Sequence, residues 1–179
     1  MVRTGPTIHA SAVLIGPHAV LIRGSAGAGK SRLALNLIQS APHGPLKLAR
    51  LVADDRVHVQ AAHARLVARP PAAIAGLLEI RGIGIRQLPY EPLAVVSWVV
   101  DLGEAGTSRM PDSAAITTNI EGIELPRLAV APGCDPFPMV LAVLTSGSVL
   151  AMAAYLDRAR SGRRESQSLT TAGLRARSG

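Results

Sequence analysis

Aromatic residues are almost missing from this chain: one Phe, one Trp and two Tyr among 179 residues. A core must therefore be assembled from Ala, Val, Leu and Ile, a composition that suits helices laid against a mostly parallel sheet. Cysteine is nearly absent too. The single Cys134 excludes an internal disulfide framework and a cysteine-rich metal centre, and its isolation fits a cytoplasmic location. Lysine occurs only at positions 30 and 47, although nineteen residues are basic. The amino-terminal MVRTGPTIHASAV has too short an apolar run for a secretory signal.

Charge is scarce in the body of the chain and concentrated at its end. Of the net charge of +7, +5 comes from residues 158–179, which carry six Arg and one acid, Glu165. That Ser, Gly and Arg-rich stretch reads as a loosely attached tail behind a domain spanning 1–157. No aromatic platforms interleave its arginines, so a specific nucleic-acid partner is not expected. The twenty residues 137–156 carry no charge and approach the length of a membrane span. Thr145, Ser146, Gly147 and Ser148 at their centre argue instead for a buried helix interrupted near Gly147. No membrane partner is expected.

What the chain does have is GSAGAGKS, Gly24 to Ser31. The pattern is a glycine, four residues, then Gly29-Lys30-Ser31, and its surroundings suit it. Ala12–Gly16 and Ala19–Arg23 are β-rich runs separated by the turn pair Gly16-Pro17. After Lys30, the spacing of Leu33, Leu37 and Ile38 is helical, and Pro42 and Gly44 end the run. In such a strand, loop and helix, the backbone N–H groups of Gly24, Ser25, Ala26, Gly27, Ala28 and Gly29 curl around phosphate oxygens. The helix adds its partial positive charge. Lys30 can reach the outer phosphates, and the Ser31 hydroxyl can serve magnesium. These features together point to ATP and Mg2+.

Leu48–Ala53 reads as a strand that ends at Asp54-Asp55, where α/β proteins place ligand-facing groups. One carboxylate can anchor magnesium and the other accept a hydroxyl proton, although neighbours on a straight strand point opposite ways. The plain alternative is a solvated strand end. Arg56–Gln60 and His63–Ala68 read as a hairpin, Leu93–Leu102 as a strongly apolar strand, and Ile120–Val130 as one or two strands. Glu79, in LEIRGIGI, can pair with Arg81, hold magnesium, or face solvent at a sheet edge. The five histidines form no metal-binding pattern.

TIHASAV, GSAGAGKS, LVADD and LEIRGIGI, in that order, resemble the catalytic domain of the HPr kinase/phosphorylase family. The match is strongest over about residues 7–86. The resemblance implies an α/β P-loop kinase domain like the nucleotide-binding core of phosphoenolpyruvate carboxykinase. It implies phosphorylation of a serine on HPr, the small phosphocarrier protein, with a reverse phosphorylase reaction in many members. It gives the base role to Asp54 with Asp55 beside it, magnesium to Ser31 and Glu79, and active-site roles to His9 and Arg109. A homo-hexamer is likewise implied. Without the family's additional amino-terminal domain, the chain looks like the short forms of alphaproteobacteria. Cys134 and Asp135 stand where the family's late loop carries arginine and asparagine, which leaves the reverse reaction open. The rival readings are a non-catalytic ATP-binding regulatory module and a P-loop small-molecule kinase or ATPase.

Overall fold

Gly16-Pro17 closes the first hairpin in the computed structural model, which describes residues 6–41, 44, 46, 48–104 and 116–146. Strand β1 (Thr7–Ile15) pairs antiparallel with β2 (His18–Gly24), with Ile15 opposite His18. The glycine loop follows β2, and helix α1 (Lys30–Ser40) follows the loop. Strand β3 (Ala49–Ala53) runs into β4 (Arg56–Ala62), which turns back into β5 (Arg65–Arg69). A separate two-stranded hairpin pairs β6 (Leu77–Ile80) with β7 (Gly84–Gln87). Strand β8 (Ala94–Leu102) precedes β9 (Thr117–Ile120), β10 (Ile123–Val130) and helix α2 (Pro136–Thr145).

The composition predicted a mostly parallel sheet, and the structure corrects this. Among the described strands only β2–β8 and β8–β10 pair in parallel; the other pairings are antiparallel. β1, β2, β8, β5 and β4 pair in a closed ring, and β3 continues along the edge of β1. Closure explains why the strands are apolar on both faces. Ala19 and Leu21 of β2, with Ala94 and Val96 of β8, join the cluster that draws on all five ring strands. Val20 and Ile22, their alternates on β2, join Trp98, Val100 and the α1 residues Leu33, Ala34 and Leu37 in a second cluster. Strand periodicity divides β2 between the two clusters, whereas β8 changes face at the register shift that sets Ala19 opposite Val96 but Val20 opposite Trp98.

The expected buried helix over 137–156 is α2 in its described part. The Asp135 side chain accepts from the Phe137 N–H at 3.1 Å, capping it. Val140 is fully buried, but Met139 is exposed, so the helix is half-buried. It stops at Ser146, next to the anticipated break; later residues lie outside the described residues, as does the tail. No described helix is long and apolar enough to cross a membrane.

Candidate active site

β2, β3, β8 and β10 all run in one direction, so their carboxyl ends share one edge of the sheet. This edge is where α/β sheets hold ligands. The glycine loop leaves β2 there. Gly27 and Gly29 have φ of 79° and 97°, a region costly for residues with a Cβ. Gly29 caps α1, whose first turn has no side-chain cap and no acidic residue. Its leading N–H groups therefore remain available to an anion.

Lys30 is buried, and its ammonium donates to the carbonyls of Gly24 and Ser25, both at 2.9 Å. Burial lowers its pKa, opposed by the negative charges of Asp54 and Asp55. A charge held in a partly desolvated place is suited to an anionic ligand, which would stabilise the ammonium further.

Asp54 is 4% exposed and accepts three hydrogen bonds. Ser11 Oγ donates to its Oδ1 at 2.5 Å and Ser31 Oγ to the same oxygen at 2.9 Å. The Glu79 N–H donates to Oδ2 at 3.3 Å. Asp55 differs: its side chain is 71% exposed, and Oδ1 lies 3.5 Å from His9 Nε2. Both carboxylates reach one cleft of about 490 Å³, lined also by His9, Gly27, Gly29, Lys30, Ser31, Glu79 and Arg81. The predicted loop residues, His9, Glu79 and the Asp pair are thus brought together. Ser25, Ala26 and Ala28 complete the loop, in which the Ala28 N–H donates to Ser25 O. Arg109 lies outside the described residues. Glu79 is exposed at the cleft rim and forms no ion pair with Arg81.

Sequence reasoning missed Ser11, Arg32 and Arg81 at this site. Ser11 had a local signal, a hydroxyl inside an apolar strand, which needs a buried partner. Arg81 lies over the loop, its guanidinium 3.8 Å from where a Cβ on Gly27 would sit.

No cluster of three or more His, Cys or acidic side chains fit to hold a metal occurs among the described residues. Asp54 and the Ser31 hydroxyl are nevertheless a sparse pair of oxygen donors, and magnesium characteristically completes such a set with substrate phosphates and water. The donor set fits magnesium carried with a nucleotide better than a resident ion.

Residues 3–89 match the model of the HPr Serine kinase C-terminal domain. The HPr kinase/phosphorylase of Clostridium tetani is 38% identical over 87 residues, covering 49% of this chain and 26% of that protein. That of Halalkalibacterium halodurans is 49% identical over 67 residues, covering 37% and 19%. The chain thus matches about a quarter or less of the length of these curated relatives. The solved Hpr(Ser) kinase/phosphatase of Coxiella burnetii superposes with a TM-score of 0.64 at 27% identity, covering 82% of this chain and 98% of that one. The segment holding the loop and both aspartates is thus similar to the HPr kinase/phosphorylase family.

Proposed function

We propose that this chain is an ATP-dependent serine kinase acting on HPr or an HPr-like phosphocarrier protein. The observation that carries the reading is the contact of buried Asp54 with Ser31 of the glycine loop, with exposed Asp55 beside it in the same cleft. The parallel run of β2, β8 and β10 supports a P-loop kinase core of the phosphoenolpyruvate carboxykinase type. The family relationship supports a cytoplasmic homo-hexamer and a reverse, phosphate-driven reaction.

The loop N–H groups and Lys30 would hold the outer phosphates of ATP, and Ser31, Asp54 and Glu79 would hold magnesium. Magnesium, when bound, neutralises charge on those phosphates. The sequence reading gives the base role to Asp54, but the geometry supports dividing the pair the other way. Both Asp54 oxygens already accept hydrogen bonds deep in the protein. Asp55 is open to an incoming hydroxyl, and His9 beside it can orient the carboxylate. Asp55 takes the serine proton as the oxygen attacks, and catalysis rests mainly on placement and charge stabilisation. Arg109 is assigned to the charge of the transferring group.

The test is transfer from labelled ATP to purified HPr with magnesium. Asp55→Asn lowers kcat by about 10²–10⁴-fold, the usual worth of a positioned base, while ADP affinity is kept. Asp54→Asn weakens magnesium-dependent nucleotide binding. Normal transfer by Asp55→Asn refutes the assignment of the base. ATP hydrolysis or small-substrate turnover without HPr labelling indicates a different kinase or ATPase, and nucleotide binding with no transfer indicates a regulatory module. Adding phosphate to serine-phosphorylated HPr tests the reverse reaction.

A further inference from the structure

On the side of the loop away from Asp54, β2 and β8 end in a cross-strand pair that the cleft does not use. Arg23 lies opposite Asp101, and Gly24 opposite Leu102, in the last registered pairs before β2 becomes the loop. Arg23 grips Asp101 with two prongs, Nε to Oδ1 and Nη2 to Oδ2, each 2.7 Å. Nη2 also donates to Thr118 Oγ1 at 3.2 Å. Arg127 of β10 donates from Nε to Asp101 Oδ2 and lies 3.2 Å from Glu104. Asp101 is buried, yet every bond described here serves strand ends and none serves the Asp54 cleft.

These groups border a pocket of about 330 Å³. Arg23 and Arg127 balance Asp101 and Glu104, so the pocket has no net charge with which to select an ion. Its neighbour in the chain gives it a different use. A Cβ on Gly24 would lie 2.9 Å from the Leu102 carbonyl oxygen and 3.2 Å from the Ala28 Cβ. Gly24 is therefore pressed against β8 at the point that the Arg23–Asp101 pair fastens. The Gly24 carbonyl in turn accepts from the Lys30 ammonium.

We infer that Arg23 and Asp101 clamp the root of the glycine loop, fixing the Gly24 carbonyl and through it the position of the Lys30 ammonium. Arg23 is then a positioning residue, whereas Arg127 buttresses the same carboxylate from a strand that does not enter the loop. The inference rests on the kinase reading only for its kinetic consequence.

The lysine content makes the clamp measurable without turnover. Lys30 and Lys47 are the only lysines, so modification by an amine-selective reagent, read by peptide mass spectrometry, has one target and one internal reference. In Arg23→Met the Lys30 to Lys47 labelling ratio rises about fivefold, the equilibrium worth of roughly one net hydrogen bond. Arg127→Met leaves the ratio unchanged while lowering Tm. Arg23→Gln, which keeps one donor and adds no amine, gives an intermediate ratio and keeps the test readable should Arg23→Met not fold. With HPr, Arg23→Met lowers kcat about ten- to a hundredfold, as expected for a misplaced catalytic group, with less change in KM. Failure of the wild-type chain to phosphorylate HPr defeats the kinase reading, and the labelling still decides the clamp. An unchanged ratio in Arg23→Met and Arg23→Gln, or equal rises in Arg23→Met and Arg127→Met, overturns the clamp.

Discussion

Asp101→Asn isolates the charge of the most heavily bonded carboxylate while keeping its shape. In the folded chain burial pushes the Asp101 carboxyl upward, but hydrogen bonds and charge from Arg23 and Arg127 outweigh this and hold it below the usual carboxylate range. Breaking a fully buried ion pair typically costs 3–5 kcal/mol. Here the Arg23 and Arg127 side chains are 29% and 18% exposed, so water recovers part of that loss. We therefore expect a destabilisation of about 2 kcal/mol at neutral pH. For a chain of this size that lowers Tm by about 4–8 °C. A depressed folded-state pKa contributes stability above the unfolded value, near 3.9, and loses it as pH falls through the folded value. The gap in Tm between wild type and Asp101→Asn should thus be full at neutral pH and close in acid, below about pH 4. Scanning calorimetry or thermal circular dichroism of both proteins across that range measures it. A gap as wide in acid as at neutrality would refute the charge argument, and no gap at neutral pH would refute the clamp's energetic role.

Two packing predictions test the frame that carries the loop. Gly24→Ala puts a methyl 2.9 Å from the Leu102 carbonyl oxygen in a backbone conformation with φ of 149°. It should destabilise by about 1–3 kcal/mol, read as a lower urea midpoint; an unchanged midpoint would mean the loop root has slack. Leu21→Ala empties a fully buried position in the ring cluster and should cost about 2–5 kcal/mol, with wild-type midpoint denying that the ring interior is tightly packed.

The loop was legible because its chemistry is local: the glycines, Lys30 and Ser31 are adjacent, and strand and helix periodicities flank them. The first hairpin was legible because Gly16-Pro17 announces its turn, whereas the β4–β5 hairpin was read from its apolar runs and its turn falls on His63-Ala64, which the sequence reading placed inside the second strand. Strand direction was not. Runs such as VLIRG and VVSWVVDL are apolar on both faces, which normally marks a parallel sheet covered by helices. A closed ring with a helix against part of its outside gives mostly antiparallel strands the same two buried faces. Arg23–Asp101 was equally hidden, because 78 residues separate the partners and nothing in either local pattern indicates the other. Ser11 was visible as a residue, but not as a donor to Asp54 until β1 and β3 were paired.

The Asp54-Asp55 dipeptide shows how two roles fit in adjacent positions. On a straight strand the side chains would point to opposite faces. Here β1 pairs with β3 through Ala12–Ile15 and with β4 through Thr7–His9, so the second chain must turn a corner between them. The Arg56 N–H closes that corner on the Asp54 carbonyl at 2.7 Å, and Asp55 takes φ of 61°. Asp54 consequently keeps the inward place of a β3 residue, among Ser11, Ser31 and the Glu79 N–H, while Asp55 swings out over the same cleft toward His9. Asp and Asn are among the few residues that tolerate this left-handed conformation. Asp55→Asn therefore removes the charge without adding backbone strain, and Asp55→Ala does not. If the carboxylate is the base, the two variants lose turnover to a similar depth, but Asp55→Ala alone also loses stability. Full turnover in Asp55→Asn with loss in Asp55→Ala would make the corner, rather than the carboxylate, the functional feature.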